Sequence, residues 1–162
     1  MFRAMRRKKQ ALPEAEAVAM LESCTSGVLA LHGDDDYPYA VPLSYAYEDG
    51  RLYFHAATKG HKLDAVERSA KVSFCVIAAD DIVPEKFTTH FRSAVAFGKA
   101  RVVTDDVEKR HGLMLLAEKY SPDYVDAAGA EIDGDWKKVA VIALDIEHLT
   151  GKASIELVRQ RA

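Results

Sequence analysis

One glycine, Gly60, stands among Lys59, His61 and Lys62 where the β-rich run LYFHAA gives way to the helical pattern HKLDAVERS. Glycine lets a ligand approach the backbone, and lysine offers a point charge for a phosphate. The first amides of a helix lack internal partners and carry the positive end of its dipole. Thr58 is placed to cap such a helix. Cations at that end oppose the dipole, so a bound anion would account for them. A solvated basic turn balanced by Asp64 and Glu67 would account for them as well. The local residues leave both readings open.

Other chemistries find less support. Six histidines, His32, His55, His61, His90, His111 and His148, show no HxxxH, HExxH or Cys/His spacing, so no metal site is expected. His55 suits a ligand contact and a core position equally, and His111 is expected at the surface. No GxSxG occurs, and GKARVV runs into a strand pattern rather than a helix, which excludes the common phosphate loop. The acids Asp34–Asp36 and Asp80–Asp81 sit in turn contexts and read as solvated. Cys24 and Cys75 are isolated, in apolar surroundings and without an adjacent cation, which fits free thiols in a reducing, cytoplasmic setting.

The elements that must position the basic turn follow from pattern. Residues 12–24 predict a helix with Pro13 in its first turn and Glu14 and Glu16 at its positive end. GVLALHG predicts a strand, and YAVPLSYAYEDGRLYFHAA a hairpin turning at Glu48-Asp49-Gly50. Pro42 cannot donate to a ladder, so its arm is expected at an edge, a bulge or a turn toward something. AKVSFCVIAA reads as a strand buried on both faces, DDIVPEKFTTH as a long loop, and residues 91–104 as a strand bent at Gly98. Residues 105–120 form the clearest helix, opened by a capping box of Asp105 and Glu108. SPDYVDAAGAEIDG is a weaker helix or a loop, and a final strand follows Trp136. This order lacks regular βαβ alternation and indicates an antiparallel α+β domain or barrel.

A chain of 162 residues, 49% apolar and 29% charged, suits one globular domain. The expected division is a basic arm over residues 1–10, a domain over 11–155 and a tail over 156–162. A formal charge of −3 argues against a dedicated nucleic-acid binder, although MFRAMRRKKQ concentrates five cations. No segment has the length of a membrane span, and no apolar stretch follows the basic start as in a secretory signal. Neither nucleic acid nor membrane is therefore expected as a partner.

Taken in order, YPYAVPLSYAYEDGRLYFHAATKGHKLDAVERSAKVSF, IVPEKFTTHFRSAVAFGKARVV and IALDIEHLTGKAS resemble the flavin mononucleotide (FMN)-binding split-barrel superfamily. That superfamily includes pyridoxamine 5′-phosphate oxidase, and the closer resemblance is to its nitroimidazole-resistance (Nim) branch, over about Met5 to Ser154. The resemblance implies a mainly β, α+β homodimer of six-stranded antiparallel split barrels with peripheral helices and flavin sites at the interface. It places Val41, Pro42, Leu43 and Ser44 beside the flavin ring, and His55, Ala56 and Ala57 near the ring and ribityl chain. Lys59, Gly60, His61 and Lys62 would hold the phosphate end, and Lys152 would cover the ring from the second subunit. For His61 it also implies the competing role of a catalytic group on the substrate face. The implied activity is that of an FMN-dependent oxidoreductase reducing nitro groups or another small acceptor. Its electrons would come from a reduced nicotinamide cofactor or a partner reductase. The alternative is a non-enzymatic flavin- or haem-binding protein. IELVRQRA departs from the oxidase's C-terminal Arg-Leu-x-Pro signature, so vitamin B6 oxidation is not expected.

Overall fold

The computed structural model describes residues 1–160. Eight antiparallel strands form one sheet: β1 (Ala11–Leu12), β2 (Gly27–His32), β3 (Pro38–Leu43), β4 (Ala46–Glu48), β5 (Arg51–Ala57), β6 (Lys71–Val83), β7 (Thr88–Val102) and β8 (Val139–Ala153). Their order is β3-β2-β6-β7-β8-β5-β4, with β1 added to β8, and the path does not close on itself. Five helices surround it: α1 (Glu14–Ser23), α2 (His61–Arg68), α3 (Asp106–Tyr120), α4 (Val125–Asp135) and α5 (Ile155–Arg159). This is the split-barrel α+β architecture, with short β1 and β4 added to the six strands expected. No helix among the described residues is long and apolar enough to cross a membrane.

Alternation on the strands builds the core. Leu29, Leu52, Phe54, Phe74, Val76, Ile142 and Leu144 point inward and are fully buried, each contributing roughly 1.5–3 kcal/mol of transfer free energy. Phe74 meets Tyr45 and Phe54 edge-on at 4.7 and 5.2 Å. The Tyr45 hydroxyl donates to Leu21 O at 2.7 Å, which fixes α1 to this centre. A second cluster lies on the other face of β5 and β8, where α3 covers Tyr53, Val141 and Ala143 with Leu113 and Leu115. The Asp105 carboxylate caps α3 by accepting from Glu108 N–H at 2.8 Å, as the sequence pattern indicates.

Several expectations are corrected. The Asp49-Gly50 turn, with φ of 45° and 82°, joins β5 to β4, whereas β3 pairs with β2 instead. β3 therefore ends the sheet, which satisfies the edge expected of Pro42. The long loop proposed for residues 80–90 is the end of a hairpin, with Asp80 opposite Phe91 and Val83 opposite Thr88 around a turn at Pro84–Lys86. There the β-branched Ile82, Val83, Thr88 and Thr89 outweigh the turn-like acids. β6 is buried on one face only, since Ile77 is 66% exposed. SPDYVDAAGAEIDG is helical over α4. Gly98 does bend β7: the register with β8 shifts there, and an added Cβ would lie 2.1 Å from Asp145 O. Of the tail expected over 156–162, α5 extends through Arg159, and residues 161 and 162 lie outside the described residues.

Candidate functional site

Strand β5 carries the chain to its first exposed stretch at the start of α2. Leu52, Phe54 and Ala56 face the core, so His55 and Ala57 project from the opposite face, where both are exposed. The core position weighed for His55 is thus not the one observed. Residues 58–60 form a bend, and α2 begins at His61 with Gly60, not Thr58, at its cap. The strand runs on through Ala57, so Thr58 is spent on leaving the sheet. Gly60 has φ 136° and ψ 166°, a region essentially closed to other residues, and space for a Cβ is open around it. Among the described residues no side chain caps α2; its first helical bonds run from Leu63 N–H (2.9 Å) and Asp64 N–H (3.2 Å) to Gly60 O. The amides of His61 and Lys62 precede those bonds at the positive end of the helix.

The cations of this turn differ in environment. Lys59 is exposed. Lys62 is half-buried, and burial pushes its ammonium pKa below the usual lysine value. Among the described residues it has no carboxylate partner. His61 stacks on Tyr39 of β3, centroids 4.1 Å apart and planes 10° from parallel. Its Nε2 lies 3.7 Å from Asp34 Oδ2, while Arg68 donates to Asp34 Oδ1 at 2.7 Å and to Gly33 O at 3.0 Å. The balancing acid is therefore Asp34 of the β2–β3 turn, rather than Asp64 or Glu67. Tyr39, Asp34 and Arg68 were not singled out from sequence. Tyr39 looked like strand packing, and Asp34 like one of several solvated turn acids.

The edge strand β3 thus comes to the start of α2. Pro42 and Ser44 are exposed, and Val41 and Leu43 are half-buried against the core. Ala56 is buried, so it can offer a ligand only backbone groups. Lys152 is not brought to this turn within one chain. On β8, Val139 pairs with Ala57 while Lys152 pairs with Ala11, a separation of roughly 40 Å along the strand. Its Nζ rests 5.5 Å from the Phe91 ring centroid. Among the described residues no three His, Cys, Asp or Glu side chains group as a metal site.

An open, antiparallel sheet flanked by helices, with a glycine-led, uncapped helix start beside an edge strand, defines the chain as a split-barrel α+β domain. The family model described as pyridoxamine 5′-phosphate oxidase matches residues 13–153, and the chain belongs to that family. No curated protein matches the sequence. Among solved structures, it is similar to a proposed 5-nitroimidazole antibiotic resistance protein from Bacteroides thetaiotaomicron. Identity is 22%, over 88% of this chain and 86% of that one, with a TM-score of 0.72. A conserved hypothetical protein from Mycobacterium tuberculosis is 21% identical over 93% and 90% of the two chains, with a TM-score of 0.79. The FAD and heme binding protein from Mycobacterium smegmatis is 24% identical over 90% and 73%, with a TM-score of 0.74.

Proposed function

We propose that the chain is a flavin-dependent oxidoreductase of the Nim type that binds FMN between β3, the end of β5 and the start of α2. The observation that carries this reading is Lys62: a half-buried cation with no carboxylate partner among the described residues, beside the open backbone of Gly60. A phosphate there would restore the charge–charge partner that burial makes costly to lack. The fit extends to the edge of β3: Val41 and Leu43 pair with Leu29 and Gly27 of β2, and the alternation of the ladder turns the carbonyls of Ala40 and Pro42 outward, available for polar contacts. The names of similar structures, one of nitroimidazole resistance and one of FAD and heme binding, support the same reading.

When bound, FMN supplies reversible two-electron chemistry at its ring. The chain's residues do the rest. Lys62 and the first amides of α2 fix the phosphate, with Lys59 adding charge at the rim. β3 would hold the ring, with His55 and Ala57 beside it. His61, held by Tyr39, gives the proton that a nitro oxygen needs as it leaves as water. A reduced nicotinamide compound is the electron source. A homodimer would complete the site and bring Lys152 to it from the second copy. The exposed apolar residues Ile77, Ile82 and Phe87, at 66%, 73% and 98% exposure, support association through the β6–β7 arm.

The test is the absorption spectrum of the purified chain, followed by chromatography of the cofactor released on denaturation. A flavin band, release of FMN rather than FAD, and reoxidation of the reduced form by a nitro compound are expected. A chain that stays colourless after incubation with FMN overturns the proposal. A Soret band would favour the haem-binding alternative, which rests on the similarity to the FAD and heme binding protein.

A further inference from the structure

The N-terminal segment meets the sheet through an aromatic ring. Among the described residues no backbone hydrogen bond holds residues 1–6; the first is that of the turn closed by Gln10 N–H on Arg7 O. Phe2 nevertheless has a defined place. Its ring lies against His148, with centroids 4.6 Å apart and planes 8° from parallel, and tilts against Phe97 at 5.6 Å. Phe2 is still 44% exposed, so the contact seats one face of the ring and leaves much of it open.

This seat belongs to a trough on the outer face of the sheet. Ala30 pairs with Ser73, Ser73 with Phe97 and Phe97 with His148, so four side chains cross β2, β6, β7 and β8 in one row. Their strand neighbours Leu29, Leu31, Phe74 and Ala96 are buried, which turns the row away from the core. Ala30 and Ser73 are small and lower the floor beside the aromatic pair. His32 and Lys71 lie two residues from Ala30 and Ser73, on the same face at one end of the row. A cavity of about 560 Å³ occupies the trough, with Phe2, Ala30, His32, Lys71, Ser73 and Phe97 in its lining. That size falls within the roughly 300–1,000 Å³ of small-molecule sites. The acid in the lining, Glu147, is held at 3.3 Å by Lys99, which pairs with Lys71 across the strands. Lys71 itself is exposed and has no acidic partner among the described residues.

We propose that this trough binds a planar aromatic carboxylate, whose ring takes the place of Phe2 on His148 and Phe97 and whose carboxylate meets Lys71. The seat already holds one flat six-membered ring through ring contacts, which is the geometry such a ligand needs. The segment that carries Phe2 has no backbone hydrogen bonds to break, so a competing ring displaces it at the cost of that contact. An aliphatic acid would lack the flat face, and an uncharged ring would leave Lys71 unmet. The trough is built without Gly60 or Lys62, so its ligand binds with or without flavin.

Calorimetric titration of the full chain with 2-naphthoate, with and without prior loading with FMN, tests this. One site per chain is expected in both cases. Phe2→Ala should bind about two- to tenfold tighter, since the stacked ring no longer competes. Its unfolding temperature should stay unchanged, because residues 1–6 are not tied to the domain by backbone hydrogen bonds. Lys71→Met should bind about three- to tenfold more weakly, through loss of one charge-assisted contact. At an exposed position it should leave the fold and flavin content as in the parent. Octanoate and the uncharged 2-naphthylmethanol should each bind more weakly than 2-naphthoate. The proposal is overturned if Phe2→Ala binds no tighter than the parent, if Lys71→Met binds like the parent, or if 2-naphthoate displaces FMN mole for mole. It also fails if octanoate or 2-naphthylmethanol matches 2-naphthoate, since either the ring seat or the charge would then go unread.

Discussion

Two groups of cations flank β5, one at each end, and their surroundings are opposite. At its start, Arg51 meets Asp145 at 2.5 Å and Glu108 at 3.2 Å. Arg101, on the neighbouring part of β7, donates to both Glu108 oxygens at 2.8 and 2.7 Å. The hydrogen bond from Arg101 holds the Glu108 carboxyl below its usual pKa, and Arg101 is raised by the same bond. At the other end, Lys62 is lowered by burial and among the described residues has no acid to offset it. The first group is complete in the folded chain and ties α3 to the sheet. The second is incomplete, and its unrelieved desolvation is free energy that a ligand can recover. Matched charge marks a joint, and unmatched charge beside open backbone marks a candidate site.

The largest expected effect is on turnover. His61→Ala should lower nitro-compound reduction by roughly 10²–10⁴-fold, the range for removal of a general acid. Flavin content should persist, because Lys62 and the α2 amides remain. A variant that loses flavin instead would move His61 to the phosphate side, and steady-state rates with cofactor content measured on the same sample separate the outcomes.

Next in size, Lys62→Met should weaken FMN binding by about 10–100-fold, the equivalent of one charge-assisted contact. Flavin fluorescence titration measures it. The chain without flavin should be no less stable, since methionine keeps the packing of the stem and removes a poorly solvated charge. The pH dependence has a defined sign. A lysine whose folded pKa lies below its ordinary 10.5 destabilises the fold while charged; the penalty is full below the folded value and is relieved as pH rises from there to 10.5. The parent without flavin should therefore gain stability relative to Lys62→Met at alkaline pH. A drop in melting temperature for Lys62→Met at neutral pH would break the contrast between the two clusters.

Much of this was legible from sequence because local rules carry it. The Asp105 cap, the Asp49-Gly50 turn, the bend at Gly98 and the edge position of Pro42 each follow from one residue's conformational limits. What was not legible depended on pairing across the fold. β3 was joined to the wrong neighbour because hairpin chemistry at Asp49-Gly50 names a turn but not how far its arms reach. The site shows the same division. Gly60 and Lys62 stand out by type and spacing, whereas Tyr39 and Asp34 reach His61 only because the β2–β3 turn folds onto α2. No periodicity in the chain encodes that approach.

The smallest effect belongs to the matched cluster and tests it from the other side. Glu108→Gln keeps the shape of the side chain but removes the charge that joins Arg51, Arg101 and the Tyr53 hydroxyl. The two guanidiniums remain 38% and 43% exposed, so water replaces much of the lost interaction. The cost should be roughly 1 kcal/mol, read as a fall of about 2–4 °C in melting temperature. FMN affinity should not change. Because the folded pKa of Glu108 is depressed, its contribution is fully present above the ordinary carboxylate value of 4.5 and is lost as pH falls through the folded value. Parent and variant should therefore differ most near neutrality and converge in acid. If the difference persisted in acid, the cluster would be acting through packing of Glu108 rather than through its charge, and matched charge would not be what joins α3 to β5.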